Sequence, residues 1–519
     1  MPKFLSSAVS FSLVLLGVGL LNGCDQLAHY QGAKSTPPSE VASAQEPPQF
    51  TTNQLLRGVY SDVTLSLNEL DNDDKASFLR DLLEGLVIYD RHGNVVPAVA
   101  ESWKTKDHKL WQFKLRAGAK WSNGEPVTAQ DFVQSWATLS QQKTELKQYL
   151  RFMNLANAQA VINGEMPQNA LGVRALDEHT LEIQLDKATP YLPKMLAHVA
   201  LLPTKLNAQG EFVGNGAYRL LEQQGKFIRL EKNPEYWNQI DVHFDQVVYQ
   251  KLPENQDVGV LDLVLNTPAS SKSNQQFPQL CTYFYEFNFN DPYLSQSAVR
   301  SALVSMISSQ NIVQNENLAM APINEFLPQN MLLEENADWQ ASLVEQLLQQ
   351  VGISENKPLQ LKVTYDDVGI HSNIANRVVR AWSQSDLIRA EPEPVSWQQL
   401  QEKRQTGDFQ VIRSGWCADY NDPSAFFNLL HSRHPDNKMG LKNAEIDRLL
   451  EQSLKAKTEP ERTALYREIQ GIAKQERLFL PIFQYVQNAY VSPSLDGVSE
   501  DNPTGVIYSK DLQRKANSN

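Results

Sequence analysis

The sequence predicts an α/β protein of several lobes, on three observations. After Cys24 about 495 residues remain, several times the usual domain size of ~100 to 150, so more than one core is expected. Apolar and polar residues alternate along Trp111–Arg116, Leu181–Leu185 and Phe227–Leu230, the period of half-buried strands. Further on, Ile446, Leu449, Leu450 and Leu454, then Leu465, Tyr466, Ile469 and Ile472, recur at helical spacing. Strands and helices mix in no strict βαβ rhythm, which points to α/β lobes, and no repeat of about 20 to 50 residues is found.

The chain opens with Lys3 and an apolar run from Ala8 to Leu21 that is too short to span a bilayer comfortably and ends at Leu21-Asn22-Gly23-Cys24. This is the layout of a secretory signal over residues 1–23. Because the run stops at a cysteine, it resembles a bacterial lipoprotein signal, which implies lipidation of Cys24 and a membrane anchor made of acyl chains. The alternative is an ordinary signal with an incidental cysteine. Residues 24–50, rich in Ser, Ala, Gln, Pro and Glu, read as a disordered tether. No later stretch approaches ~18 uninterrupted apolar residues, so the mature chain is expected to be exported without crossing the membrane.

A net charge of -13 with no basic stripe argues against a nucleic-acid partner. If Cys24 is lipidated, Cys281 and Cys417 remain in an oxidising compartment, and one disulfide is the simple inference. Metal binding by the two is the weaker alternative, because no neighbouring cysteine or histidine supplies ligand spacing.

Order begins near Leu55. Ser122-Asn123-Gly124 supplies a turn after the first alternating strand, and Thr128-Ala129-Gln130-Asp131 reads as a capping box leading into Phe132 and Trp136. Asn233-Pro234 ends the strand at Phe227–Leu230.

Catalytic motifs are missing: there is no Gly-x-Ser-x-Gly, no His-Glu-x-x-His and no phosphate-binding Gly-x-x-x-x-Gly-Lys-Ser/Thr. His431 and His434 could reach one metal from a helix, yet Pro435 follows at once and no third ligand is evident, so they read as surface residues. Neither an enzyme nor a cofactor is expected.

The unusual stretch is Arg413-Ser414-Gly415-Trp416-Cys417-Ala418-Asp419-Tyr420-Asn421-Asp422-Pro423. It follows a short strand at Phe409–Ile412 and precedes a helix predicted over Ser424–Leu430. Opposite charges, a glycine, a large ring and a cysteine gather at a strand end, a common place for a ligand site in α/β proteins. The alternative is structural: an internal Arg413 to Asp419 ion pair beside a disulfide.

This segment resembles the signature of the oligopeptide-binding proteins, the substrate-receiving subunits of bacterial ABC peptide importers, and the likeness runs from Leu55 to about Tyr508. Supporting stretches are Arg80–Leu86, Ala100–Trp103, Lys120–Val133, Gly214–Tyr218, Asn233–Trp237 and Cys281–Glu286. The resemblance implies a two-lobed periplasmic-binding-protein clamp (cluster C, type II) with an extra inserted domain. Lobe I would comprise residues 51–83, 205–280 and 487–512, the inserted domain 84–204, and lobe II 281–486. Short peptides would bind between the lobes as an extended strand, through backbone contacts at Gly415, Trp416 and Cys417. By the same resemblance Asp419 matches the partner of the peptide α-ammonium. Arg413, Arg404 and His371 match positions that meet peptide carboxylates, Asn266 and Tyr485 match other cleft contacts, and Cys281 and Cys417 match the family disulfide. The expected partners are a peptide and an ABC permease complex, with the receptor acting as a monomer.

Departures from the family pattern cluster at the carboxylate end. Gln296-Ser297-Ala298-Val299-Arg300 stands for Asp-x-Arg-Val-Arg, Ser308-Ser309 for Asp-Arg, and Asn315 or a neighbour for a lysine. Leu65-Ser66-Leu67 stands for Leu-Asp-Pro, and the stretch between Val248 and Phe277 is short. A narrower ligand than general tri- to pentapeptides is therefore expected, with murein tripeptide, a cell-wall fragment, as the main alternative; a peptide-sensing paralogue without transport is another.

Overall fold

A computed structural model describes residues 53–253, 257–268, 273–314, 316, 319–333 and 343–516. Cys24, the predicted signal, the whole of the predicted tether and Asn315 lie outside these residues. The first stretch holds β1 (Gln54–Val59) and α1 (Asp73–Leu82). Asn72 caps α1 by accepting from the Lys75 amide, and Asp73 and Asp74 sit favourably in its first turn. There follow β2 (Ala100–Thr105), β3 (Leu110–Leu115), α2 (Ala129–Gln141), β4 (Val173–Asp177) and β5 (Thr180–Gln184). These strands form an antiparallel sheet in the order β2-β3-β5-β4. The capping box read at Thr128 and Asp131 is present, and Phe132 and Trp136 on the same helix are fully buried.

Next come β6 (Tyr218–Gln224), β7 (Phe227–Lys232), β8 (Gln246–Lys251), β9 (Leu263–Val264) and β10 (Gln275–Phe287). The later half adds α3 (Ser297–Ser305), β11 (Met320–Pro322), β12 (Leu359–Asp366), α4 (His371–Trp382), β13 (Ile388–Val395), α5 (Trp397–Thr406) and β14 (Val411–Cys417). It ends with α6 (Ala444–Ser453), α7 (Glu459–Gln475) and β15 (Phe479–Val491). One 11-stranded sheet runs through both lobes in the order β6-β7-β8-β1-β9-β15-β10-β14-β12-β13, with β11 beside β15. No helix among the described residues is long and apolar enough to cross a membrane.

Two 13-residue strands, β10 and β15, carry the sheet from one half to the other. They pair at Gln275–Pro278 with Val486–Ala489 and again at Thr282–Glu286 with Phe479–Gln484. Between the two ladders Gln279, Leu280 and Cys281 face Tyr485 alone, so the pairing breaks there. Gln484, fully buried, spans the break: its amide nitrogen donates to the Gln279 carbonyl at 2.7 Å and its oxygen accepts from the Gln329 amide at 2.9 Å.

In the second half the sheet is covered on both faces, as a layered α/β lobe requires. Tyr283, Tyr285 and Phe287 pack against Val299 and Leu303 of α3 and Ile374, Val378 and Trp382 of α4. Phe284 on the opposite face meets Phe326 and Phe479, in a core shared with Ile446 and Leu449 of α6 and Ile469 of α7. The two helical stripes read from spacing thus face this core, with Leu454 falling at the end of α6.

The short strand expected at Phe409–Ile412 instead spans Val411–Cys417, as β14, because its residues continue the ladder with β10 as far as Cys417.

A buried ionic cluster ties the β2–β5 region to the second half. The Tyr191 and Tyr420 rings stack at 5.3 Å, Lys194 reaches Asp422 at 2.7 Å and Arg462 reaches it at 2.9 Å. Burial pushes the Asp422 carboxyl up, but Lys194 and Arg462 together hold it below the usual carboxylate range. Asp422→Ala would strand the buried Arg462 charge and should cost about 3–5 kcal/mol in urea denaturation. Lys194→Met, at a position that still reaches water, should cost nearer ~1 kcal/mol in the same measurement.

Candidate functional site

The register of β14 decides what its edge offers. Cys417, Gly415 and Arg413 lie opposite Cys281, Tyr283 and Tyr285. Just past the strand, the Ala418 amide donates to the Leu280 carbonyl at 2.8 Å, so that pair is hydrogen-bonded. Alternation then makes Cys281/Cys417, Tyr283/Gly415 and Tyr285/Arg413 the non-hydrogen-bonded pairs. The Cα separation of 4.0 Å across the Cys281–Cys417 disulfide fits such a close pair. Residues in these pairs aim their own N–H and C=O away from β10. On that far side β12 pairs with β14 only at Val411 and Ile412, so among the described residues the ladder ends before Gly415. An exposed strand edge of this kind is a template for an added strand. Gly415 is also tight on its inner side, where a Cβ would stand 3.1 Å from the Thr282 carbonyl oxygen.

Asp419 sits two residues beyond the end of β14. It is half-buried, and loss of water pushes its carboxyl up to about 6. Among the described residues no cationic side chain pairs with it, and the internal Arg413 to Asp419 ion pair weighed from sequence is not formed. Trp416 beside it is held by its indole N–H, which donates to the Ala425 carbonyl at 2.8 Å.

Arg413 is buried and turned toward Asp366, 3.4 Å away at the end of β12. The ring of His371, at the start of α4, lies between them. Its Nδ1 is 3.0 Å from Asp366 Oδ2 and its Nε2 is 3.0 Å from an Arg413 nitrogen. Since Arg413 can only donate, Nε2 accepts and Nδ1–H donates to Asp366, which makes the imidazole neutral. Burial pushes the Asp366 carboxyl up, but the His371 hydrogen bond and the Arg413 charge outweigh it and hold Asp366 below its ordinary value.

Arg404 on α5 makes a two-pronged contact with Glu286, at 3.1 and 2.7 Å, and the Ser414 hydroxyl donates to the same carboxylate at 3.0 Å. Glu286 alternates onto the opposite face of β10 from Tyr283, the ring beside Arg413. The structure therefore brings His371 and Arg413 together and points Arg404 elsewhere. Asn266, in left-handed backbone at φ 53°, accepts from Gln487 of β15 at 2.9 Å and donates to Asp73 at 3.4 Å. Tyr485 stands at the pairing break, its ring edge-on to Phe483 at 4.9 Å. Asp366 and Glu286, which engage the arginines, escaped the sequence reading; the only local signal for Asp366 is a carboxylate at the end of the alternating run Leu359–Tyr365.

Glu286→Ala would remove the acceptor of Arg404 and Ser414 together. Because Arg404 can turn toward solvent, the expected loss is about 1.5–3 kcal/mol, read as a lowered urea midpoint.

Comparison with known proteins agrees on one family. Residues 94–438 match the model of the middle region of bacterial extracellular solute-binding proteins, family 5. A putative binding protein of Haemophilus influenzae is 49% identical over 99% of this chain and 98% of its own length. The periplasmic oligopeptide-binding protein of Salmonella typhimurium is 32% identical, covering 88% of this chain and 92% of that one. The periplasmic murein peptide-binding protein of Escherichia coli is 34% identical, covering 84% and 88%. Among solved structures, the unliganded open form of the murein tripeptide binding protein MppA superposes with a TM-score of 0.83 at 30% identity, over 89% of this chain and 97% of that one. The Haemophilus influenzae OppA complex with the peptide RPPGFSPFR gives 0.61 at 27% identity, over 89% and 99%.

Proposed function

The chain belongs to the bacterial extracellular solute-binding proteins, family 5, which bind solutes and are not enzymes, and on that premise we propose that it captures short peptides between its lobes for an ABC importer. The observation that carries this reading is the edge of β14 that no described strand covers at Gly415, followed by a carboxylate at Asp419 with no cationic partner among the described residues. A peptide laid along that edge continues the sheet through its backbone, whatever its side chains, and its α-ammonium finds Asp419. A carboxylate stripped of water and lacking a partner forms a strong charge-assisted contact with an incoming ammonium.

The remaining parts of the proposal follow the same logic. Residues 51–83, 205–280 and 487–512 act as lobe I, 84–204 as the inserted domain and 281–486 as lobe II. The lobes rest open and close by bending where β10 and β15 lose their pairing at Tyr485. Support for the open state comes from the better fit to an open relative at equal coverage of this chain. That open relative is the unliganded form of the murein tripeptide binding protein MppA, at a TM-score of 0.83. Cys24 carries the lipid anchor, and Asp25 after it resembles the signal that keeps a lipoprotein at the inner membrane of a Gram-negative cell, on the periplasmic side; in a Gram-positive cell the same anchor would hold the receptor on the outer face of the cell membrane. A tethered receptor stays at high effective concentration near its permease.

Mass spectrometry of ligands copurifying from the native host tests the function: mixed free peptides are expected, a single diaminopimelate-containing species would mark a murein receptor, and an absence of peptides would sink the reading. Asp419→Ala should weaken peptide binding by about 2–5 kcal/mol in calorimetry. The pH dependence has a definite sign. With an Asp419 pKa of about 6 in the empty site, affinity is full at neutral pH and falls as pH drops through about 6, by up to about tenfold per unit. Above ~8 the peptide amine loses its proton and affinity falls again. Asp419→Asn should abolish the acid limb alone; a limb that persists in this variant would assign it to another group.

A further inference from the structure

We propose that Asp73, backed by Asn266 and Gln487, forms a subsite for a basic side chain, so that the receptor favours peptides carrying an amine or guanidinium at one fixed position beyond the amino-terminal residue. The proposal rests on the peptide-receptor reading, which anchors the amino terminus at Asp419. Three side chains from separate elements form a relay beside the first ladder of β10 and β15. Gln487 of β15 donates from Nε2 to Asn266 Oδ1 at 2.9 Å, and Asn266 donates from Nδ2 to Asp73 Oδ2 at 3.4 Å. A carboxylate only accepts, so Asp73 fixes which way the Asn266 amide points, and Asn266 in turn fixes Gln487.

Both ends of the relay are acceptors that still call for a donor. Gln487 is only 5% exposed, yet its Oε1 has no hydrogen bond among the described residues. Gly505 keeps the space beside that oxygen open, since a Cβ there would stand 3.1 Å away. Among the described residues Asp73 receives one hydrogen bond, the long one from Asn266, and pairs with no cation. Its acidic neighbours are already engaged: Asp74 accepts from the Tyr60 and Ser61 amides at 2.8 and 3.0 Å, and Asp71 holds Lys75 at 2.9 Å. A place in the first turn of α1 accounts for Asp73 as a helix-stabilising acid, but not for the buried, donorless amide oxygen at the far end of the relay. Gln487 lies two residues from Tyr485 on the same face of β15, at the break that Cys281 and its partner Cys417 border. On the peptide reading, a strand added along Gly415–Cys417 runs past this break, within reach of a long side chain to Asp73. An ammonium brings three donors and a guanidinium five, which suits a cluster of acceptors, whereas an acidic side chain would be repelled.

The test offers ligand-stripped full-length protein an equal mixture of short alanine-based peptides in which lysine, or uncharged norleucine, occupies each position in turn, at physiological salt. Bound species are counted by mass spectrometry. Wild type should retain lysine over norleucine by about tenfold at one position, the same in peptides of every length when counted from the amino end. Asp73→Asn, which keeps the shape and leaves the Asn72 cap of α1 in place, should abolish that preference, whereas Asp71→Asn should leave it unchanged. No preference at any position, or one spread evenly over all positions as the field of an acidic protein would give, would overturn the proposal while leaving the peptide receptor intact. A preference that survives in folded Asp73→Asn, or that Asp71→Asn removes equally, would overturn the role of Asp73. If no peptide of either kind binds wild type, the peptide reading itself falls, and the proposal with it. Should Asp73→Asn fail to fold, the position dependence in wild type still decides.

Discussion

Much in this molecule depends on the pairing of two long strands, Gln275–Phe287 and Phe479–Val491. They are held together by ladders at both ends and released from each other for three residues opposite Tyr485. A continuous sheet would make the molecule one rigid plate. The break leaves a place where two halves could rotate while the hydrogen bonds on either side survive, and the buried Gln484 amide satisfies the Gln279 carbonyl inside it. The disulfide lies at the very edge of this break, on a non-hydrogen-bonded pair. It fixes β14 to β10 two residues from Gly415, which pins the register of the two strands there.

Around that framework the carboxylates divide into two kinds. Asp366, Glu286 and Asp422 each hold an arginine, over sequence separations of 40 residues or more, and each is buried. Their charges are settled inside the protein, and they contribute order and not attraction. At the end of β14 Asp419 has no cationic partner among the described residues, and its loss of water shows as a raised pKa. Such a group is costly to the empty protein and favourable to whatever brings a positive charge.

Much of the fold was legible in the sequence. The alternation at Trp111–Leu115 and Leu181–Ile183, the capping box at Thr128 and Asp131, and the stripes on α6 and α7 are local patterns, and the structure repeats them because each is decided within a few residues. The signature at Arg413–Asp419 pointed to the right strand. Its length was underestimated because polar and small residues, Arg413, Ser414 and Gly415, do not look like strand until the neighbour β10 supplies the ladder.

The sequence by itself determined the α/β character, the helix starts, the two cysteines that bond and the family to which the chain belongs. The first three follow from periodicity, capping chemistry and cysteine number, and the family follows from the resemblance carried by Arg413–Pro423 and its supporting stretches. Only the tertiary structure decided which charges remain available. Arg413 reads from sequence as a partner for Asp419 or for a ligand, yet it meets Asp366, and Arg404 meets Glu286 across 118 residues. Those choices are made by strand register and by which face of a sheet a side chain occupies, and a shift of one residue would reverse them. No local pattern encodes that register, so these pairings, and an Asp419 with no cationic partner among the described residues, emerge only when distant strands are set side by side.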